Sequence, residues 1–115
     1  MLTEFLKSKI HNATVTETLI DYEGSIGIDE EIAELADLKE FEKVQVWDIN
    51  NGERFETYVI VEPRGSRRIT LNGAAARLVH KGDRVIIASF CLLMPNETVK
   101  PKIVILDNNN NPKLK

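Results

Sequence analysis

A compact, mainly β barrel is the fold class that this sequence predicts. Three observations carry it. About six or seven short stretches suit strands, turn-forming clusters separate them at close intervals, and only one or two stretches change to a helical period. Short strands joined by tight turns, without a helix after each, close on themselves instead of building a layered parallel sheet. The chain has 115 residues, 43% of them apolar and 29% charged, which is the size and composition of one globular domain.

The elements follow in order. In "ATVTETLI", 13–20, Ala13, Val15 and Leu19 share one face and the threonines the other, with Glu17 as a polar break. "IDEEIAELADLK", 28–39, changes to a helical period: Ile28, Ile32 and Leu35 fall on one face, Asp29 suits the N-cap, and Glu30 and Glu31 suit the first turn. "KVQVWDI", 43–49, and "ERFETYVIVE", 53–62, are two strands joined by the hairpin signal "NNG". "PRGS" turns into the strand "RRITL", and "NGAAARLV", 72–79, starts as a glycine turn and becomes an alanine-rich helical turn. After "HKGD", the segment "RVIIASFCLL", 84–93, shows little alternation and is expected to be buried on both faces. "MPNE" leads to the last strand in "KPKIVIL", 100–106, and the polar "DNNNNPKLK", 107–115, is expected to be a flexible tail outside a domain of residues 1–106.

The totals exclude several function classes. A net charge of −3 without a basic block argues against a nucleic-acid partner. Cys91 is the single cysteine, so no internal disulfide can form and a reducing compartment is expected. The N-terminus lacks a signal-peptide core, and the longest apolar run, 85–94, is too short to span a membrane. A cytoplasmic protein with no membrane partner is expected. His11, His80 and Cys91 have no zinc spacing, so no metal is expected, and no glycine-rich phosphate loop occurs. "RGSRR" lacks the second glycine of a hydrolase nucleophile elbow. The acidic cluster 29–42 is most simply a solvated helix face.

One pair stands out by its chemistry, Gly24–Ser25 in "DYEGSIGID". Taken alone it is a turn, and "RGS" at 64–66 shows how easily the pair arises. The same atoms also allow a serine hydroxyl to attack the preceding carbonyl, with glycine offering no Cβ to block it and tolerating a strained backbone. The amide becomes an ester, elimination leaves dehydroalanine, and hydrolysis gives an N-terminal pyruvoyl group.

The order and spacing of six segments decide between these readings. They are "KSKIH" at 7–11, "ATVT" at 13–16, "YEGSIGID" at 22–29, "WDINNGERFETYVI" at 47–60, "RGSRRITLNGAAAR" at 64–77 and "KGDRVIIASF" at 81–90. Across nearly the whole chain the sequence resembles the aspartate 1-decarboxylases, pyruvoyl-dependent enzymes of bacterial pantothenate synthesis. The resemblance implies a double-psi β barrel with one or two short helices. It implies self-cleavage between Gly24 and Ser25 into a β chain, 1–24, and an α chain, 25–115, assembled as a homotetramer. The implied cofactor is a covalent pyruvoyl group made from Ser25, with neither metal nor pyridoxal phosphate, and a separate maturation factor stays open. L-Aspartate is the implied substrate, and β-alanine and CO2 the products.

Residue by residue, the resemblance matches Ser25 to the cleaved serine, Tyr58 to the catalytic tyrosine and Thr57 to the processing and substrate-contacting threonine. Lys9 and Arg54 match carboxylate-binding residues, and Gly73, Ala74 and Ala75 match the substrate-binding glycine and alanines. His11, Tyr22 and Asn72 sit where the family places supporting pocket residues. Asn12 and Gly27 depart from the family, which often carries arginine at the first and threonine or alanine at the second.

The chemistry is coherent with these residues. Decarboxylation needs a sink for the electrons of the broken C–C bond, and a ketone conjugated to an amide, condensed with the substrate amine, provides one. Tyr58 is the candidate proton donor, and the planar fork of Arg54 suits a carboxylate. Strand periodicity sends residues 54, 56, 58 and 60 to one face, while Thr57 points the other way unless a bulge or a neighbouring subunit intervenes. Without the resemblance, Arg54 and Tyr58 would read as an exposed sheet face, Lys9 as a solvated lysine, and Tyr22 as a cap on the core. The competing function is a non-catalytic small β-barrel binding module.

Overall fold

In the computed structural model, which describes residues 1–113, the first strand begins at Thr3, well before the alternation that starts at Ala13. Among the described residues there are nine strands: β1 (Thr3–Thr14), β2 (Glu17–Leu19), β3 (Ser25–Asp29), β4 (Lys43–Asp48), β5 (Arg54–Glu62), β6 (Ile69–Asn72), β7 (Arg84–Leu93), β8 (Lys102–Leu106) and β9 (Pro112–Lys113). One helix, α1 (Glu30–Leu35), and one 3₁₀ helix, Gly73–Arg77, interrupt them. The strand order is β2-β6-β3-β5-β4-β7-β1-β8-β9. β1 lies between antiparallel β7 and parallel β8, and β3 between antiparallel β6 and parallel β5. This arrangement, made twice, is the mainly β, double-psi architecture that the sequence led us to expect.

The core is aliphatic. Ile10, Ile26, Ile28, Val46, Val59, Ile69, Leu71 and Val85 are fully buried, and each such side chain contributes roughly 1.5–3 kcal/mol. β4 and β5 follow the expected hairpin, with Gly52 closing the turn at φ +77°. β1 was hidden by two irregularities, between Leu6 and Ser8 and between Ile10 and Ala13, which break the period of two.

Four expectations are corrected. The helical stretch is shorter than 28–39: Ile28 belongs to β3, Leu35 is exposed, and Ile32, Ala33 and Ala36 face the core. β7 is not buried on both faces throughout, because Phe90 and Leu92 are exposed. The acidic cluster is only partly solvated, since Asp29 is fully buried and the Glu42 carboxylate pairs with Lys7 at 2.8 Å. Finally, the segment expected as a flexible tail folds back as far as residue 113. Asp107 Oδ1 accepts from the Asn109 and Asn111 amides, and buried Asn110 exchanges hydrogen bonds with the Thr14 backbone and donates to the Arg67 carbonyl. The end of that tail, 114–115, lies outside the described residues. No helix among the described residues is long and apolar enough to cross a membrane.

Candidate active site

Ser25 opens β3, where it is paired with Asn72, the last residue of β6. Both are buried, and Asn72 Nδ2 donates to Ser25 Oγ across 2.9 Å. Asn72 stands at the N-cap of the 3₁₀ helix but makes no side-chain cap, because its amide is turned to the serine. Its other atom, Oδ1, is buried without a hydrogen-bond partner. A buried acceptor without a donor is costly, and here it lies beside the residue whose chemistry the sequence singled out.

The next residue, Gly73, has φ +69°, a conformation that suits glycine. A Cβ on Gly73 would stand 2.7 Å from the Gly24 Cα and 2.8 Å from both the Gly24 nitrogen and the Tyr22 carbonyl oxygen. Gly24 itself is exposed, is not in the positive-φ region, and has open space where its own Cβ would be. The constrained glycine of the pair is therefore Gly73, and Gly24 shows no strain of the kind expected for it.

β5 lies on the other side of β3. Ile26 pairs with Val59, and one residue earlier in each strand Ser25 and Tyr58 fall at the next position of the same parallel register. Residues directly opposite share a face, which puts Tyr58, Ser25 and Asn72 on one face of three adjacent strands. Tyr58 is 36% exposed and its ring lies 6.3 Å from that of Phe41. Thr57 is half-buried opposite core residue Val44, on the other face, as periodicity required.

The remaining expected residues are not brought to Ser25 within one chain. Arg54 shares the Tyr58 face but lies four residues away, about 13 Å along the strand. Its guanidinium stacks 4.4 Å over the ring of Trp47 and lines a cleft of about 450 Å³ with Trp47, Gln45, Ala88 and Phe90. Lys9 pairs with Ala88, Ala88 with Gln45, and Gln45 with Glu56, so Lys9 is three strands from β5, on the order of 14 Å along the sheet. His11 pairs with Ile105 of β8, and its Nδ1 is buried without a partner. The Tyr22 side chain is 62% exposed, so it does not cap the core, although its carbonyl oxygen touches the Gly73 turn. Ala74 is exposed and Ala75 packs against the core cluster.

Two neighbours were not anticipated. Trp47 could have been found, since the "NNG" turn and the alternation together set it opposite Arg54. Phe41 could not, because it lies outside any periodic stretch with φ +69°. At Gly27 a Cβ would meet Thr70 Oγ1 and a Glu62 carboxylate oxygen, so a side chain there requires this pair, hydrogen-bonded at 3.1 Å, to shift.

Buried charges fix the strands that carry the site. At the far end of β3, burial alone would raise the Asp29 carboxyl. Donors from the backbone of Arg67, Gly65 and Glu31 and from the Arg67 guanidinium outweigh it and hold the group below the usual carboxylate range. Glu42 follows the same pattern: burial opposes its charge, and Lys7, Ser89 and the Lys39 amide overcome it. Among the described residues no group of three or more histidine, cysteine or acidic side chains could hold a metal ion.

Known proteins resemble this chain over nearly its whole length. The family model described as aspartate decarboxylase matches residues 1–113. The aspartate 1-decarboxylase of Fervidobacterium nodosum is 59% identical over 113 residues, covering 98% of this chain and 97% of that protein. The aspartate 1-decarboxylase of Caldicellulosiruptor saccharolyticus is 64% identical over 112 residues, covering 96% and 88%. That of Ralstonia nicotianae is 49% identical over 112 residues, covering 96% and 93%. With a family match over nearly its whole length and relatives this similar, the chain belongs to the aspartate decarboxylase family.

Proposed function

We propose that this protein decarboxylates L-aspartate to β-alanine and CO2, supplying pantothenate and coenzyme A synthesis, after cleaving its own backbone between Gly24 and Ser25. The observation that carries the reading is the pair at the head of β3: a buried serine hydroxyl gripped by Asn72, directly after an exposed glycine on which Gly73 packs.

In the cleavage, Ser25 Oγ attacks the Gly24 carbonyl carbon, the Gly24–Ser25 C–N bond breaks, and the freed nitrogen takes up a proton. Loss of the Ser25 α-proton expels the Gly24 carboxylate from Cβ and leaves dehydroalanine. Addition of water and release of ammonia then leave a pyruvoyl ketone. The residues present fit that group. Asn72 offers one amide donor at Ser25 and one acceptor without a partner, and no side chain crowds in from Gly73.

The pyruvoyl group supplies a carbonyl sink for the electron pair of the broken C–C bond. Tyr58 holds a proton at its phenol oxygen on the Ser25 face and delivers it to the former α-carbon. The Asn72 amide orients polar atoms at residue 25, and Gly73 lets the Tyr22 carbonyl and Gly24 approach. Thr57, next to Tyr58 on β5, supports processing, and Ala74 and Ala75 leave room for substrate. Arg54, held over the Trp47 ring, binds a substrate carboxylate with both prongs of its fork, assisted by Lys9. Because Arg54 and Lys9 lie far from Tyr58 within one chain, they serve the pocket of a neighbouring copy, with His11 as a support. This separation supports a pocket completed between copies of the processed chain, and the family resemblance makes that assembly a homotetramer. The half-buried free thiol of Cys91 suits a reducing, cytoplasmic setting.

Denaturing mass spectrometry tests the reading. Purified protein yields fragments 1–24 and 25–115, the second without a free amino terminus and one that hydride traps with aspartate. Ser25→Ala abolishes both cleavage and β-alanine formation. An intact, inactive wild-type chain after prolonged warming would overturn the reading and favour a binding module.

A further inference from the structure

Phe41 is 71% exposed, yet its backbone is held in the left-handed region. Its φ is +69°, which is costly for a bulky side chain. The conformation is imposed by two backbone hydrogen bonds to the residue that follows Tyr58: Phe41 N donates to the Val59 carbonyl at 2.7 Å, and Val59 N donates to the Glu42 carbonyl at 3.0 Å. Glu42 is locked in turn, its carboxylate taking hydrogen bonds from Lys7 Nζ, the Ser89 hydroxyl and the Lys39 amide, while Lys7 also donates to the Asp37 carbonyl. The core gains little from an aromatic ring so exposed. What the ring touches is Tyr58, at 6.3 Å between centroids and a 42° tilt, within the range of a favourable aromatic pair. Tyr58 needs such a neighbour, because a half-exposed strand tyrosine has more than one staggered orientation open to it.

We propose that Phe41 is a positioning residue: its ring forms a wall that holds the Tyr58 phenol on the Ser25 side of the sheet. The proposal rests on the reading of Tyr58 as proton donor. The 37–42 segment, tied to β1 by Lys7 and to β7 by Ser89, spends its backbone strain on placing this ring.

The chain has two tyrosines, so selective tyrosine labelling gives a readout independent of turnover. In uncleaved Ser25→Ala protein, one tyrosine ring shows a ring-current shift and a nuclear Overhauser contact to Phe41, and both vanish in Phe41→Ala. In otherwise wild-type protein, Phe41→Ala leaves the cleaved fraction unchanged and lowers kcat per cleaved chain about tenfold, as expected of a misplaced acid, with KM within about twofold. Phe41→Tyr restores turnover. Phe41→Gly, which relieves the backbone strain, folds at least as stably as Phe41→Ala yet is as slow, so lost stability cannot explain the effect. In a Tyr58→Phe background, Phe41→Ala costs nothing further. Normal kcat in Phe41→Ala with slow Tyr58→Phe overturns this proposal alone, and an equal loss in the Tyr58→Phe background also overturns it. Normal turnover by Tyr58→Phe itself removes the proton-donor assignment together with this proposal.

Discussion

Gly73 packs against Gly24 so closely that a Cβ on Gly73 would stand 2.7 Å from the Gly24 Cα. The two glycines meet across the turn that delivers the chain to Ser25, and Gly73 does so at φ +69°. Gly73→Ala must therefore move the backbone at the bond to be broken as well as force alanine into the left-handed region, at a cost of at least about 1–2 kcal/mol. We expect a folded chain that stays largely uncleaved, with Tm lowered by several degrees. Intact mass after a timed incubation checks it. Wild-type cleavage would show that the Gly24 backbone need not be held by this contact.

Asn72 acts on the hydroxyl where Gly73 acts on the backbone. Removing its amide in Asn72→Ala frees Ser25 Oγ from its donor and at the same time removes the unpartnered Oδ1. Stability should change little, because an unmet polar atom leaves together with the bond. Cleavage should slow by about 2- to 10-fold, the rate equivalent of one neutral hydrogen bond. The time course of fragment 25–115 measures this. Unchanged kinetics with an unchanged Tm would mean that the serine is oriented by other groups.

These two residues also show how far the sequence could be read. The β4–β5 hairpin was legible, because "NNG" between alternating runs sets its register, and with it Trp47 opposite Arg54 and the shared face of Arg54 and Tyr58. Periodicity says which face a side chain occupies but not what lies across the strand, so the 13 Å between those two residues counted for nothing until β3 was placed. β3 was missed because "SIGID" is buried on both faces and shows no alternation. Asn110 was missed because a low-complexity run gives no hint that one asparagine bridges β1 and the start of β6. Phe41 and Gly73 both depend on backbone at positive φ. Glycine advertises that conformation, and phenylalanine does not.

Asp29 contributes to the acid limit of stability. Its carboxyl is held below the ordinary range of about 3.8 by donors that outweigh burial. With a lowered folded pKa, its contribution is present above the unfolded value and is lost as pH falls through the folded one. Asp29→Asn keeps an oxygen for the helix cap but turns an amide N–H₂ toward the Arg67 amide and guanidinium, a donor facing donors. We expect a loss of about 2–3 kcal/mol at pH 7. The fall in Tm between pH 7 and pH 3 should be shallower than in wild type, though not absent, because Glu42 contributes in the same direction. Thermal melts at the two pH values check both statements. A variant as acid-sensitive as wild type would place the titrating group elsewhere.

The turn that begins β5 carries the opposite case. Asp48 is 3% exposed; its Oδ1 accepts from the Asn50 and Asn51 amides at 2.7 and 3.2 Å, while Oδ2 is buried without a hydrogen-bond partner, with the Asp83 carboxyl nearby. Burial, and then Asp83, push the Asp48 carboxyl up from its ordinary value. A raised folded pKa means that the stabilising form is the protonated one: its contribution is full below about 3.8 and is lost as pH rises through the folded value, above which two carboxylates stand opposed. Asp48→Asn keeps the acceptor for both backbone amides and supplies a permanent N–H donor to Asp83. It should stabilise the protein at pH 7 by about 1 kcal/mol, or roughly 4–8 °C in Tm. The advantage should shrink as pH falls, because a carboxyl with a raised pKa takes up its own proton before an ordinary one does. Asp48→Ala forfeits both backbone hydrogen bonds and should be destabilising at either pH. If Asp48→Asn melts as low as Asp48→Ala at pH 7, the two carboxyls do not share a proton, and the turn depends on the Asp48 charge.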